Sequence, residues 1–310
     1  MSAAVDASLA AWGLTGAACE FVAGRENRVY HIRSAQGDYA LRIKRPGYRE
    51  RDELVAELHW LEAMEKAGLH VPRPLPSRTG KLLECIDTFY VDVVSWLPGT
   101  PLGKSRQPLA LKDRCGAFQA IGAEMAELHA ACDAWQRPAE FKRCHWDMEG
   151  LLGETPVWGR FWDNPTLSTA TKSLFLRFRE MAREQLTDMA PALDYGLIHA
   201  DLVRENVLLD DGTIRIIDFD DGGFGYRQFD MATVLLKNMS EPDYPDLKAA
   251  LIDGYKSRRA LDLAGLDLFI TIRALSYVGW IVPRMDEAGG ALRNERFVAE
   301  AHDLCTAFFQ

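Results

Sequence analysis

Between residues 197 and 218 the chain gathers side chains suited to moving a proton and holding a hard metal ion. The apolar pair Leu197-Ile198 reads as a strand that delivers His199 and Asp201 into a loop, and Asn206 begins the next strand. Asp201 has the chemistry to accept a proton from an attacking hydroxyl. Asn206 and Asp218 offer oxygen donors, the type Mg2+ prefers. A positioned base, with metal ions that hold the β- and γ-phosphates, is the equipment of phosphoryl transfer. Each residue alone has a plainer role: an HxD is more often a capped turn, Asp218 a strand-end turn residue and Asp230 a helix cap. Their order and spacing together point to the chemistry.

Such side chains need elements that bring them together. Val207-Leu208-Leu209 and Ile214-Arg215-Ile216-Ile217 flank Asp210-Asp211-Gly212-Thr213, and Asp-Gly is a strong hairpin signal. With Asp211 and Gly212 as the loop, Asp210 faces Thr213 and Asn206 faces Ile217. Asp218 then lies beside Asn206, although the two are twelve positions apart in sequence. Upstream, Phe21-Val22 and Val29-Tyr30-His31-Ile32 flank the polar segment Ala23-Gly24-Arg25-Glu26-Asn27, and residues 39–44 alternate as a strand after the turn Gln36-Gly37-Asp38. Leu54, Leu58, Leu61 and Met64 recur at helical spacing until Gly68. Apolar strands follow at 82–86 and 89–94, and the sheet pattern stops at Trp96-Leu97-Pro98-Gly99. Beyond it the texture is helical: Phe118, Ile121, Met125 and Leu128 share a face, and 172–189, 227–239, 246–258 and 264–284 read as helices. The pattern predicts an α+β chain, with a β-rich part over 1–94 and a larger, mostly helical part over 95–310, joined near Ser95.

His199-x-Asp201-x4-Asn206, followed by Asp218 at the end of a hairpin, resembles the HxDxxxxN and DFG elements of the kinase fold. The wording HADLVRENVL, then IIDFDDGGFG, then FDMA, is similar to the aminoglycoside phosphotransferase and choline kinase superfamily, and within it to bacterial homoserine-kinase-type-II and stress-response-kinase relatives, over roughly residues 20–285. That resemblance implies a protein-kinase-like bilobal fold, with a small β-rich ATP-binding N-lobe and a larger, mostly helical C-lobe for catalysis and acceptor binding. It implies ATP and Mg2+ as cofactors, Asp201 as catalytic base beside His199, Asn206 and Asp218 as Mg2+ ligands, and Asp230 as a brace for the catalytic loop. Tyr39-Ala40-Leu41-Arg42 stands where kinases carry V-A-I-K, which gives Arg42 the phosphate-holding position. Strand alternation puts Ala40, Arg42 and Lys44 on one face, so Lys44 is a rival. The helix partner is Glu57, with Glu53 one turn earlier as competitor. Gly24-Arg25-Glu26-Asn27 occupies the nucleotide-loop position, and the span from Val94 through Ser95 to Leu97 is the hinge expected to bond the adenine edge.

Composition narrows the classes. A formal net charge of -9 argues against a nucleic-acid partner, because such proteins display a basic stripe. The 6 cysteines show no CxxC or CxxH spacing, which argues against structural zinc and a disulfide framework and suits a reducing compartment. No apolar run is long enough for a membrane span, and no basic n-region marks a signal peptide, so a cytoplasmic location is the expectation. The position two after Asp201 is Val203, with the basic residue Arg204 one place later. Eleven residues separate Asp218 from Asp230 and no Ala-Pro-Glu element follows, which leaves little room for a peptide-binding activation loop. A hydroxyl-bearing small molecule is therefore the expected acceptor: homoserine, an amino alcohol or an aminoglycoside-like sugar. The alternatives are a Ser/Thr protein kinase of the stress-response type, an inactive ATP-binding pseudokinase and a metal-dependent phosphohydrolase. Trp135, Trp146, Trp158 and Trp162, with Asp147 and Glu149 nearby, form either an acceptor wall or core packing. Asp220, Asp221, Arg273 and Trp280 are further acceptor-side candidates, and oligomeric state leaves no mark in the sequence.

Overall fold

A computed structural model describes residues 3–24 and 27–310 of the chain. In chain order its first elements are α1 (Ala3–Ala11), β1 (Ala18–Gly24), β2 (Asn27–Ser34), β3 (Gly37–Lys44), α2 (Arg51–Lys66), β4 (Leu83–Ile86), β5 (Phe89–Ser95), β6 (Thr100–Pro101) and α3 (Arg114–Ala134). Then come β7 (His145–Trp146), α4 (Met148–Leu152), α5 (Thr169–Met189), β8 (Tyr195–Ile198), β9 (Val207–Asp210), β10 (Thr213–Ile216), β11 (Gly223–Tyr226), α6 (Arg227–Leu236), α7 (Tyr244–Lys256), α8 (Leu266–Trp280) and α9 (Gly290–Ala307). The chain forms two compact units. The first comprises Met1–Leu102, Ala130–Arg143 and Asn206–Asp220; the second comprises Gly103–His129, Cys144–Glu205 and Asp221–Gln310.

The first unit is organised by a five-stranded antiparallel sheet in the order β1-β2-β3-β5-β4. Side chains alternate across a strand, and here that alternation sorts apolar from charged. Leu41 and Ile43 of β3 join Val91 and Val93 of β5 in a core with Ile32, with Val5 and Leu9 of α1 and with Trp12 just beyond it. The intervening positions, Arg42 and Asp92, are Cα partners across the β3–β5 ladder, so they belong to the opposite face. That face meets α2, which starts with a reciprocal cap (the Glu50 amide donates to Glu53 Oε2 at 2.9 Å) and ends before Gly68 at φ 92. Leu54, Leu58, Trp60, Leu61 and Met64 are its buried apolar stripe. Trp60 is fully buried, donates Nε1–H to Cys132 Sγ at 3.1 Å and meets Phe219 edge-on at 5.1 Å. The first unit also holds the three-stranded sheet β10-β9-β6. The β9–β10 hairpin has the register expected of an Asp-Gly loop, Asp210 opposite Thr213, and both loop residues take positive φ, 46° at Asp211 and 83° at Gly212.

In the second unit, β11 lies between β7 and β8, parallel to the first and antiparallel to the second. The helix α8 is buried along nearly its whole length, from Leu266 to Gly279, as a central helix must be if it is apolar all round. α3 and α7 pass so close that a Cβ on Gly122 or Gly254 would stand 2.0 Å from a backbone oxygen of the other helix. Of the four tryptophans weighed as acceptor wall or core packing, Trp146, Trp158 and Trp162 are buried. Asp147 caps α4 by accepting from the Gly150 amide at 2.8 Å, and Glu149 pairs with Arg183 at 3.0 Å.

Candidate active site

The functional side chains form three groups, two in the first unit and one in the second. In the first unit, Arg42 donates from Nε to Asp92 Oδ1 at 2.6 Å and from Nη1 to Glu57 Oε1 at 2.8 Å. Lys44 sits less tightly, with Nζ 3.4 Å from Glu57 Oε2, 3.4 Å from Asp92 Oδ2 and 3.6 Å from Asp220 Oδ1. All five side chains are buried. Burial opposes charge at Arg42, yet Asp92 and Glu57 outweigh it and hold its pKa above the ordinary value. At Glu57 burial works in the same way against ionisation, and Arg42, Lys44 and Arg143 overcome it, keeping the carboxyl well below the usual range. Arg143 donates to the carbonyls of Phe219 at 2.8 Å, Asp220 at 2.7 Å and Glu53 at 2.9 Å, which ties the strand end after β10 to α2.

The pair of expected metal ligands lies at the open end of the β9–β10 hairpin. The Ile217 amide donates to the Asn206 carbonyl at 3.0 Å, which continues the ladder and brings Asp218 next to Asn206. Asp218 is exposed and takes the left-handed conformation, φ 68. That conformation is sparsely populated by residues other than Gly and is often kept at functional sites. Both donors are oxygen, the chemistry a hard divalent cation requires. Among the described residues, no group of three or more His, Cys, Asp or Glu is placed to hold a metal ion.

The second unit positions Asp201. The Asp230 carboxylate, at the start of α6, accepts the amides of His199 at 2.8 Å and Ala200 at 2.6 Å. Ala200 itself stands at φ 63. His129 joins Asp230 to Tyr255: one ring nitrogen is 3.1 Å from the carboxylate and the other 2.9 Å from the phenol. His199 is buried and accepts the Asp201 amide on Nδ1 at 3.2 Å, so its ring faces the loop backbone. Asp201 remains 22% exposed, and its Oδ1 accepts from Arg273 Nη2 at 2.8 Å, with the Tyr277 hydroxyl at 3.5 Å. Burial pushes the Asp201 carboxyl up to about 6; Arg273 opposes the rise and Asp221 adds to it. Arg273 is itself buried among rings, 4.2 Å from the centroid of Trp158, 4.4 Å from Tyr277 and 5.1 Å from Phe229. Lys237, which caps the C-terminus of α6, lies with Nζ 3.5 Å over the Tyr277 ring, and burial brings its ammonium down to about 8. Arg204 is held in a separate network with Asn238 at 2.9 Å, Glu241 at 2.7 Å and the Gln107 carbonyl at 2.6 Å.

The remaining sequence candidates are spread more widely. Asn27 opens β2 opposite Lys44, whereas Arg25 and Glu26 lie outside the described residues. Ser95 ends β5 and gives its amide to Arg73, while Leu97 is half-buried beyond the strand. Glu53 belongs to the α2 cap, leaving Glu57 as the partner of Arg42. Asp221 accepts Nε1–H of Trp158 at 3.3 Å, and Trp280 carries Arg284 over its ring at 4.3 Å. Sequence reasoning missed Asp92, Tyr277 and Lys237. The signal for Asp92 was present: it is the one acid in the apolar run Phe89-Tyr90-Val91-Asp92-Val93-Val94.

Known proteins resemble the chain along most of its length. Amicoumacin kinase of Bacillus subtilis is 28% identical over 296 residues, 89% of this chain and 83% of that protein. A homoserine kinase of Acidiphilium cryptum is 28% identical over 249 residues, 78% of this chain and 72% of its own. The structure of a microcompartment-associated aminopropanol kinase matches with a TM-score of 0.85 at 28% identity and covers 98% of this chain and 96% of its own. The sequence model of the phosphotransferase enzyme family matches residues 18–269. The fold is thus protein-kinase-like, and the chain belongs to the phosphotransferase enzyme family.

Proposed function

We propose that the chain transfers the γ-phosphoryl group of ATP, bound with Mg2+, to the hydroxyl of a small molecule. The observation that carries this reading is Asp201, a partly exposed carboxylate on a loop whose two preceding amides are both fixed by Asp230. With its pKa near 6 it is ionised at neutral pH and takes the acceptor proton as the oxygen attacks phosphorus. Arg273 orients it, and His199 positions the loop through the Asp201 amide. Asn206 and Asp218 would hold Mg2+, which when bound offsets charge on the β- and γ-phosphates. Arg42, set by Glu57, would contact phosphate oxygens, with Asn27 in the nucleotide loop. In the proposed hinge, the Ser95 amide is already given to Arg73, which leaves Leu97 to bond the adenine edge.

A small acceptor is favoured by the short connection from Asp218 to Asp230, where Gly223–Tyr226 is a strand held on both sides by β7 and β8. The relatives named for amicoumacin, homoserine and aminopropanol point the same way. A cytoplasmic location rests on the cysteines, none of which forms a disulfide among the described residues. It also fits the absence of any helix there that is long and apolar enough to cross a membrane. Loss of a general base costs ~10³-fold in turnover, and that is the expected result for Asp201→Asn, with the Mg-ATP-induced rise in Tm retained. Full turnover by this variant in an ADP-release assay over homoserine, amino alcohols and aminoglycosides would overturn the assignment.

A further inference from the structure

A carboxylate at the centre of an apolar strand calls for a physical reason, because burying a charge is costly without a close partner. Asp92 is such a residue: it is fully buried on β5, flanked by Val91 and Val93, and directly opposite Arg42 in the β3–β5 register. We propose that Asp92 is a positioning residue for nucleotide binding, which together with Glu57 fixes two of the three guanidinium nitrogens of Arg42 and thereby commits the third, Nη2, to the phosphate oxygens of ATP.

The contacts divide the guanidinium between partners. Nε goes to Asp92 at 2.6 Å and Nη1 to Glu57 at 2.8 Å, while Nη2 is buried without a hydrogen-bond partner among the described residues. A planar fork gripped at two points by carboxylates from two different elements, β5 and α2, has no rotational freedom left. A lysine at position 42 has a single ammonium on a flexible stem and would leave one of the two carboxylates with only the longer Lys44 contact, at 3.4 Å. This explains why arginine stands where the kinase pattern carries lysine: Asp92 and Arg42 require each other.

Lys44 completes the cluster in a different capacity. Its ammonium lies 3.4–3.6 Å from Glu57, Asp92 and Asp220, too far for strong bonds and central enough to balance all three. With Arg143 bonded to the backbone of Phe219 and Asp220, three cations face three carboxylates. In that balanced setting one buried nitrogen of Arg42 is left unpartnered among the described residues.

The inference rests on the ATP reading above, so the experiment keeps the two failures apart. Mg-ATP affinity is measured by titration calorimetry on the full chain for the wild type, Arg42→Lys, Asp92→Asn and the double variant. Wild type that takes up no Mg-ATP would remove the functional reading itself. With a wild type that binds, loss of one charge-assisted hydrogen bond predicts about tenfold weaker binding for Asp92→Asn and at least that for Arg42→Lys. The double variant, in which the single ammonium at position 42 has only Glu57 to meet, is expected to bind more tightly than Arg42→Lys alone. A purely structural Asp92 would give no such rescue. Unchanged affinity in Asp92→Asn, or a double variant no better than Arg42→Lys, overturns the proposal. Should Asp92→Asn fail to fold, the double variant against Arg42→Lys decides, and failure of both Asp92 variants to fold counts against a positioning role.

Discussion

Both units bury charge, but they treat it in opposite ways. In the first, Arg42 and Lys44 meet Glu57, Asp92 and Asp220 inside one strand–helix layer, and the mutual attraction drives each of Arg42, Lys44 and Glu57 further into its charged form. In the second, Asp201, Lys237 and His129 lie among aromatic rings and buried helices, and burial moves them to about 6, about 8 and about 4. One region is electrostatically locked; the other holds groups that burial pushes toward their neutral forms. A site that grips a polyanion gains from permanent charge. A site that moves a proton needs a group that can hold or release it.

The contrast is broken most severely at the locked cluster. Removing one partner of a buried ion pair costs ~3–5 kcal/mol, so Glu57→Ala is expected to lower the urea midpoint by the equivalent amount, and a midpoint near wild type would show that the cluster is not locked. The second unit contributes a pH-dependent stability through His129. Its folded pKa of about 4 lies below the ordinary 6.5, because burial and Arg227 outweigh the pull of Asp230. The native state therefore favours the neutral ring. That contribution is complete above pH 6.5 and is lost as pH falls toward 4, on the order of a few kcal/mol by linkage. Urea midpoints taken across that window should fall in the wild type and fall less in His129→Gln; parallel curves would reject the linkage. The smallest effect concerns the base. Log kcat/KM should drop about one unit per pH unit below about 6. Arg273→Met, which removes a cation that favours ionised Asp201, should move that limb up by about one pH unit. A limb that stays in place would separate Arg273 from the titration.

Local spacing made part of this legible. The hairpin register, and with it the Asn206–Asp218 pairing, follows from two loop residues and strand alternation, and both elements lie within one short stretch of sequence. Glu57 could be placed by its spacing in the family pattern, though not separated from Glu53 until the cap at Glu50 was seen. What escaped detection depends on partners far along the chain. Arg42 and Asp92 are fifty residues apart, and Arg273 meets Asp201 across a separation of 72. Arg273 stands in a largely apolar helix, and nothing in the sequence says which carboxylate it serves. The helices α1 and α9 also went unread, and so did β11, whose run of Gly223-Phe224-Gly225-Tyr226 looks like a loop until β7 and β8 hold it from either side.

That last strand has a consequence for control. Chain that is hydrogen-bonded into a sheet from both edges resists rearrangement, so a covalent tag on Gly223–Tyr226 would have to break two ladders before it could reorder that stretch.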